Sequence, residues 1–357
     1  MSLWGHENTE LSERARNVLK HLIQEHIRTG KPVGSRRLSR IYPERLSPAT
    51  LRNVMADLEE LGYVSQPHTS AGRVPTPDGY RLYVRNLLKA DRLSPDQIEQ
   101  IEESLRDETD PGELMSKASR VLAAYSSHMG FVLSPPLSYS VMKHIEFVRL
   151  ARKRIMVILV TRTGLVHHRV IFLEEDLSQS ELDQAGRYLV ENFSGQSLVE
   201  IRTELIKLMS QEKALYDRIL KNVVLLGSAG AIQSDVEDTK LSDVYLGGTS
   251  AIIRNFDGAE LDRMIALFQT LEEKGRLIKI ISECLKEDEA GPTVTIGLED
   301  HIPGMKDWSL ITSRYLYDQR MAGTLGILGP SRMEYAKAIS LVDYVAKLCG
   351  RILDRAS

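Results

Sequence analysis

Apolar residues recur at the spacing of one helical face along residues 11–29: Leu11, Ala15, Val18, Leu19, Leu22, Ile23 and Ile27. The pattern predicts a helix that Gly30 stops and Pro32 keeps stopped. A short helix, "SRRLSRIY", is predicted after Gly34. Ser47 and Pro48 open the next, since serine caps a helix and proline is tolerated at its first position. Its apolar stripe is Leu51, Met55, Leu58 and Leu61, and Gly62 ends it. Residues 63–66 then read as a strand, "TSAGR" as a tip and "RVPT" as a returning strand, with a further helix over 78–89. Three helices followed by a small hairpin is the plan of a winged helix-turn-helix. A helical subdomain with a surface hairpin would give the same pattern.

The polar stretch 89–97 reads as a linker, and 95–127 as two helices. Strand patterns follow in "HIEFVRL", "RIMVILVTRTG" and "LVHHRVIFL", with a turn at Thr163-Gly164. "VILV" is continuously apolar, as in a strand covered on both faces. From about 177 to 289 helices dominate. Ser178 caps one over Leu182, Ala185, Leu189 and Phe193, and another carries Leu215, Ile219, Leu220, Val223 and Val224. "DVYLGGTSAII" interrupts as a strand with a glycine bend, and 258–286 reads as a helical pair broken near Gly275. Strands return in "TVTIGLED", "WSLITSRYLY" and "AGTLGILGP". A last helix is predicted over 331–353, with Tyr335, Ala338, Ile339, Val342, Val345, Ala346, Cys349, Ile352 and Leu353 on its apolar side. The strand-rich module at 130–173 therefore resumes at 293, with a helical block inserted. That arrangement fits a small α+β sensor fold.

Composition narrows the function. The 357 residues are 42% hydrophobic and 27% charged, which suits an ordinary multidomain globular protein. No apolar run is long enough to span a membrane, and the N-terminus lacks a signal-peptide pattern. Two distant cysteines, Cys284 and Cys349, read as buried thiols in a reducing cytoplasm, not as a disulfide framework or a thiolate zinc site. His167 and His168 are adjacent on a strand and point to opposite faces, so they cannot share a metal ion. No His-Glu-x-x-His or Gly-x-Ser-x-Gly pattern occurs, and "GTLGILG" at 323–329 follows a strand and lacks the lysine-serine ending of a phosphate loop. No catalytic residue, metal or cofactor is expected.

Charge points to a different partner. Residues 1–90 hold 14 Lys+Arg against 9 Asp+Glu, while the rest of the chain holds 32 against 40. A basic front on an acidic body suits an anionic partner for the front alone. Opposite its apolar stripe, the third helix carries Ala49, Arg52, Asn53, Ala56 and Glu60. Small residues let a helix approach closely, and Arg and Asn are the side chains that read guanine and adenine edges. Arg36 and Arg37 lie on the preceding helix, where phosphate contacts are expected.

The chain also resembles a known family, the heat-inducible transcription repressors HrcA. The resemblance is carried by "LSERARNVLKHLIQEHIRTGKPVGSRRLS", "ATLRNVMADLEELGY", "PHTSAGRVPT" and "GYRLYV", and continues in "YLGGTSAII", "LEEKGRL" and "LGILGPSRMEYAKAISLVDYVA". It departs at Pro48, at Val54 and in "NFDGAEL". The resemblance implies a multidomain α+β fold. A winged-helix DNA-binding domain (1–90) would precede a GAF-like domain (91–176 and 290–357) split by an inserted, mainly helical dimerisation domain (177–289). It implies a cytoplasmic homodimer that represses chaperone operons by binding double-stranded, inverted-repeat operator DNA, with the chaperonin GroEL as modulator. On this footing "TSAGR" is the wing tip, with Gly72 in a left-handed turn. Arg73 would reach a phosphate or the minor groove, or else form a local ion pair. The expected DNA-binding set is Ser35, Arg36, Arg37, Ser47, Ala49, Thr50, Arg52, Asn53, His68, Thr69, Ser70, Gly72 and Arg73. Two other readings stand beside it. One is a regulator sensing a small molecule between the strands at 144–173 and 293–329. The other is a scaffold whose inserted helices bind partner proteins.

Overall fold

The computed structural model describes residues 11–355 apart from 45, 69–70, 89–90, 107, 109, 135–139, 210–217, 228–243, 249–290, 300–304 and 318–319. The fold is mixed helix and sheet. By its internal contacts the chain forms two compact units. One comprises Met1–Ser94, Pro292–Thr312 and Ile327–Val342, and the other Pro95–Gly291, Ser313–Gly326 and Asp343–Ser357.

In the first unit, α1 (Glu13–Thr29) starts where Ser12 accepts the Ala15 N–H and ends at Gly30, whose φ of 69° closes the last turn onto the His26 carbonyl. It buries Ala15, Val18, Leu19, Leu22 and Ile23. Helix α2 (Ser35–Ile41) contributes Leu38 to the same core. Helix α3 (Pro48–Glu60) contributes Leu51, Met55 and Leu58, whereas Leu61, expected on that stripe, is 43% exposed because the helix has already ended. Strands β1 (Val64–Ser65) and β2 (Val74–Pro75) form the hairpin, in the register Val64↔Pro75 and Ser65↔Val74. The returning arm also pairs with the α1–α2 connection, where Val33 and Arg73 exchange backbone hydrogen bonds of 2.8 and 2.9 Å. Helix α4 (Pro77–Leu82) follows, capped by Thr76, and runs into a single π turn over Tyr83–Leu87.

The second unit opens with α5 (Pro95–Leu105) and α6 (Pro111–Ser126). Strands β3 (Met129–Leu133), β7 (Val244–Gly247), β8 (Thr293–Ile296), β9 (Trp308–Tyr317) and β10 (Arg320–Pro330) are ordered β7-β3-β10-β9-β8 in one five-stranded sheet, of which β8 belongs to the first unit. The glycines of this sheet allow close approach. A Cβ on Gly130 or Gly247 would stand 2.2 or 2.4 Å from the Ser119 carbonyl of α6, and one on Gly323 2.2 Å from the Tyr315 hydroxyl. The "GTLGILG" run is thus a strand, as expected.

Strands β4 (Met142–Ala151), β5 (Arg154–Thr161) and β6 (Val166–Phe172) form a separate antiparallel sheet in that order. This corrects the expectation that 144–173 and 293–329 share one sheet. Ile145, Phe147, Ile155, Val157, Leu159 and Ile171 pack against residues of α7 (Gln179–Phe193), α8 (Leu198–Met209) and α9 (Arg218–Leu226) in one core. Among the described residues helices cover one face, and "VILV" is not buried on both sides. Val157 and Leu159 are buried, while Ile158 and Val160 are half-buried. His167 and His168 fall on opposite faces, and no group of three or more potential metal ligands occurs among the described residues. The last helix, α10 (Tyr335–Arg355), buries the predicted stripe apart from the half-buried Ile339. Cys349 is buried there, which pushes its thiol up to about 12, whereas Cys284 lies outside the described residues. No described helix is long and apolar enough to cross a membrane.

Candidate nucleic-acid interface

Helix α3 is two-faced. With Leu51, Met55 and Leu58 turned into the core, the residues on the other side, Ala49, Arg52, Asn53, Ala56 and Glu60, are all exposed. Ser47 fixes the start of the helix. Its Oγ accepts the Thr50 N–H at 3.1 Å and bonds the Thr50 hydroxyl at 2.9 Å. Charge along the helix is polarised. Its first turn has no acidic residue, and Asp57, Glu59 and Glu60 gather at the C-terminal end. That placement opposes the helix dipole. It leaves the first turn of the helix free of negative charge, where an anion is favoured. Among the described residues no ion pair or hydrogen bond occupies the guanidinium of Arg52 or of the exposed Arg36.

Arg37 is held differently. Its Nε donates to Glu25 Oε1 at 2.6 Å, while Arg28 donates to the same carboxylate from Nε and Nη2 at 3.0 and 2.8 Å. Glu25 is only 5% exposed. The Arg28 hydrogen bonds, joined by those of Arg37, hold its carboxyl below the usual carboxylate range against the opposing effect of burial. The cluster ties α2 to α1 and aims Arg37 outward, with 53% of its side chain still exposed. Neither Glu25 nor Arg28 was expected at the site from sequence. The Glu25/Arg28 spacing of three on a helix is the trace they leave there. Ser35 is half-buried at the start of α2.

The hairpin departs from expectation in two residues. Gly72 does not have a positive φ; it is needed because a Cβ would stand 2.4 Å from the Val33 carbonyl carbon and oxygen. Arg73 lies on the returning arm just before β2, bridged to Val33, and not at the hairpin's tip. Its Nη2 pairs with Glu59 at 2.7 Å, only 19% of its side chain is exposed, and its buried Nε has no hydrogen-bond partner among the described residues. The local ion pair is the arrangement found. Nearer the tip, His68 is exposed and its carbonyl accepts the Ala71 N–H at 2.8 Å. Thr69 and Ser70 lie outside the described residues. The arrangement as a whole is an exposed Arg/Asn/Ala helix face beside exposed guanidinium groups on α2, with a hairpin behind it. Chemically it can bind a polyanion and offer bidentate donors to base edges.

Comparison with known proteins points to one family. Residues 112–339 match a family model described as the HrcA protein C terminal domain. The heat-inducible transcription repressor HrcA of Geobacter sulfurreducens is 41% identical over 347 residues, covering 97% of this chain and 99% of that protein. The protein of the same name from Syntrophobacter fumaroxidans is 37% identical over 97% of this chain and 98% of its own length. A crystal structure titled only as a hypothetical protein shares the fold at 20% identity, with a TM-score of 0.61 over 98% of this chain and 100% of that one.

Proposed function

The chain belongs to the HrcA family, and from that premise we propose that it is a cytoplasmic, dimeric repressor of heat-shock chaperone operons. It binds an inverted-repeat operator through a winged helix formed by α1–α3 and the β1–β2 hairpin. The observation that carries this reading is the exposed α3 face with Ala49, Arg52, Asn53 and Ala56, whose arginine is uncommitted among the described residues. Arg36 and Arg37 flank it on α2 as phosphate ligands, joined by Ser35, Ser47, Thr50 and His68. The five-stranded sheet with α5, α6 and α10 is the GAF-like part. The insertion is best drawn to include β4–β6 as well as α7–α9, because these elements share one core. GroEL is the modulator in this reading.

An inverted repeat demands a two-fold protein, since each half-site takes one recognition helix. The open face of β4–β6 supports self-association. Leu150, Val166, Val170 and Phe172 are 44, 59, 37 and 69% exposed there, side by side with the half-buried Val148, Met156, Ile158 and Val160. The seam expected at 258–286 lies outside the described residues. The small-molecule alternative gains no matching observation. One cleft among the described residues lies beside α5 and α10, lined by Arg106, Arg351 and Arg355 among others.

The test is a gel-shift titration at near-physiological salt with an inverted-repeat operator from a chaperonin promoter beside a scrambled duplex of equal length. The expected outcome is a preference of about a thousandfold or more, with one dimer per duplex. Equal affinity for both duplexes, with GroEL present as well as absent, would reject the reading.

A further inference from the structure

Segments distant in sequence grip the α1–α4 region within its own compact unit. Arg81 on α4 donates from Nε and Nη2 to the main-chain carbonyl of Ile296, at the end of β8, at 3.1 and 2.7 Å. Its Nη1 is held by Asp78 at 2.7 Å. Gly297 makes room for this contact: a Cβ there would stand 3.1 Å from Arg81 Nη2. At the end of α1, Gly30 gives space to Arg332, whose Nη1 would lie 2.2 Å from a Cβ at that position. Between them Tyr80, 4% exposed, faces Tyr335, 1% exposed, with ring centroids 6.0 Å apart. The Tyr80 hydroxyl bonds Nδ1 of His26 at 3.0 Å, and the Tyr335 hydroxyl donates to the Ser331 carbonyl at 2.8 Å.

The α1–α3 core is already closed by Leu19, Leu22, Leu51 and Leu58. The outer contacts therefore add orientation beyond what folding of the helices requires. A guanidinium clamped at two nitrogens on one carbonyl tolerates little rotation. Arg81 lies on α4 and is not among the α2 and α3 residues assigned to DNA.

We propose that Arg81, assisted by Arg332 and Tyr335, is a positioning residue for operator binding. It locks the recognition helix to β8 and to the start of α10 within one compact unit, so that each protomer of a dimer presents its helix in one fixed pose. The inference rests on the repressor reading above. Its physical basis is bivalency. The second half-site is bound at an effective concentration that is high when the geometry matches and collapses when it does not. A loose mount would leave each half-site contact intact while weakening the joint engagement and blurring the choice of spacing.

The experiment is fluorescence anisotropy with full-length protein on three duplexes: the inverted repeat, a single half-site, and an inverted repeat whose spacer is lengthened by half a helical turn, about 5 bp. Arg81→Ala is expected to keep half-site affinity within about twofold, lose about tenfold or more on the full repeat, and discriminate less against the lengthened spacer. Arg332→Ala serves as the second variant should circular dichroism show that Arg81→Ala is unfolded. Wild-type behaviour of the variant on all three duplexes overturns the proposal. So does an equal loss on half-site and full repeat, which would make Arg81 a direct contact. If wild-type protein does not distinguish the operator from scrambled DNA, the repressor reading fails first and this inference falls with it.

Discussion

Arg52 stands exposed on α3, whereas the guanidinium of Arg73 is 2.7 Å from Glu59 and mostly covered. Equal charges thus predict different defects. Arg52→Ala should cost about 1–3 kcal/mol of specific binding and relax the base preference at one position, read by titrating operators with single base changes. Arg36→Ala should weaken all sequences alike and lower the salt slope of log affinity by about 1. Arg73→Ala should leave that slope unchanged and lower the melting midpoint, because it strips Glu59 of its partner. A salt slope that falls for Arg73→Ala would return that residue to the phosphate contacts. The buried Glu25 and the half-buried His26 both contribute to acid sensitivity. Burial, with the charge of Arg332 added, lowers His26 to about 4. Its contribution to stability is present above the ordinary histidine range and is lost as pH falls through that lowered value. Glu25 is lowered too, so its contribution is present above the ordinary carboxylate range and disappears as the carboxylate takes its proton. Melting midpoints should therefore drop on acidification from near neutrality. His26→Gln should flatten the upper part of the curve and Glu25→Gln the lower.

Among the elements, the hairpin is the one whose construction differs most from its sequence signature. "SAGR" reads as a glycine turn, but Gly72 is required for contact with the Val33 backbone and not for a left-handed φ. Close approach across a bridge between residues 33 and 73 has no local signature, since it depends on where the α1–α2 connection comes to rest. Gly72→Ala should destabilise the protein by about 1–3 kcal/mol, as overpacking against backbone does. It should also shift the hairpin and reduce DNA affinity. Thermal unfolding followed by circular dichroism checks the first, and an unchanged midpoint would show that the Val33 strand yields. The three helices were legible because each carries its own boundary chemistry: Gly30 and Pro32, Gly34, Ser47-Pro48 and Gly62. The β4–β6 strands were legible as strands, but their sheet membership and their single covered face were not.

For the whole molecule, the open face of β4–β6 provides a direct test of self-association. Phe172→Glu places a charge at a position already 69% exposed, so folding should tolerate it. Sedimentation equilibrium should show dimer shifting to monomer, with operator affinity falling and half-site affinity retained. A dimer that persists would put the seam elsewhere in the inserted region. The sequence by itself determined what depends on near neighbours in the chain: the helix periods and their caps, the exposed Arg52/Asn53 face, the strand character of the glycine-rich runs, and the motif string that marks the family. Those features are set by local sterics and by one residue's period against the next, so they survive without coordinates. Only the tertiary structure decided which arginines are committed to carboxylates, which strands share a sheet, why Gly72 must lack a side chain, and that Arg81 clasps a carbonyl 215 residues away. Each of those depends on through-space distances between segments remote in sequence, and these are fixed only when the chain packs.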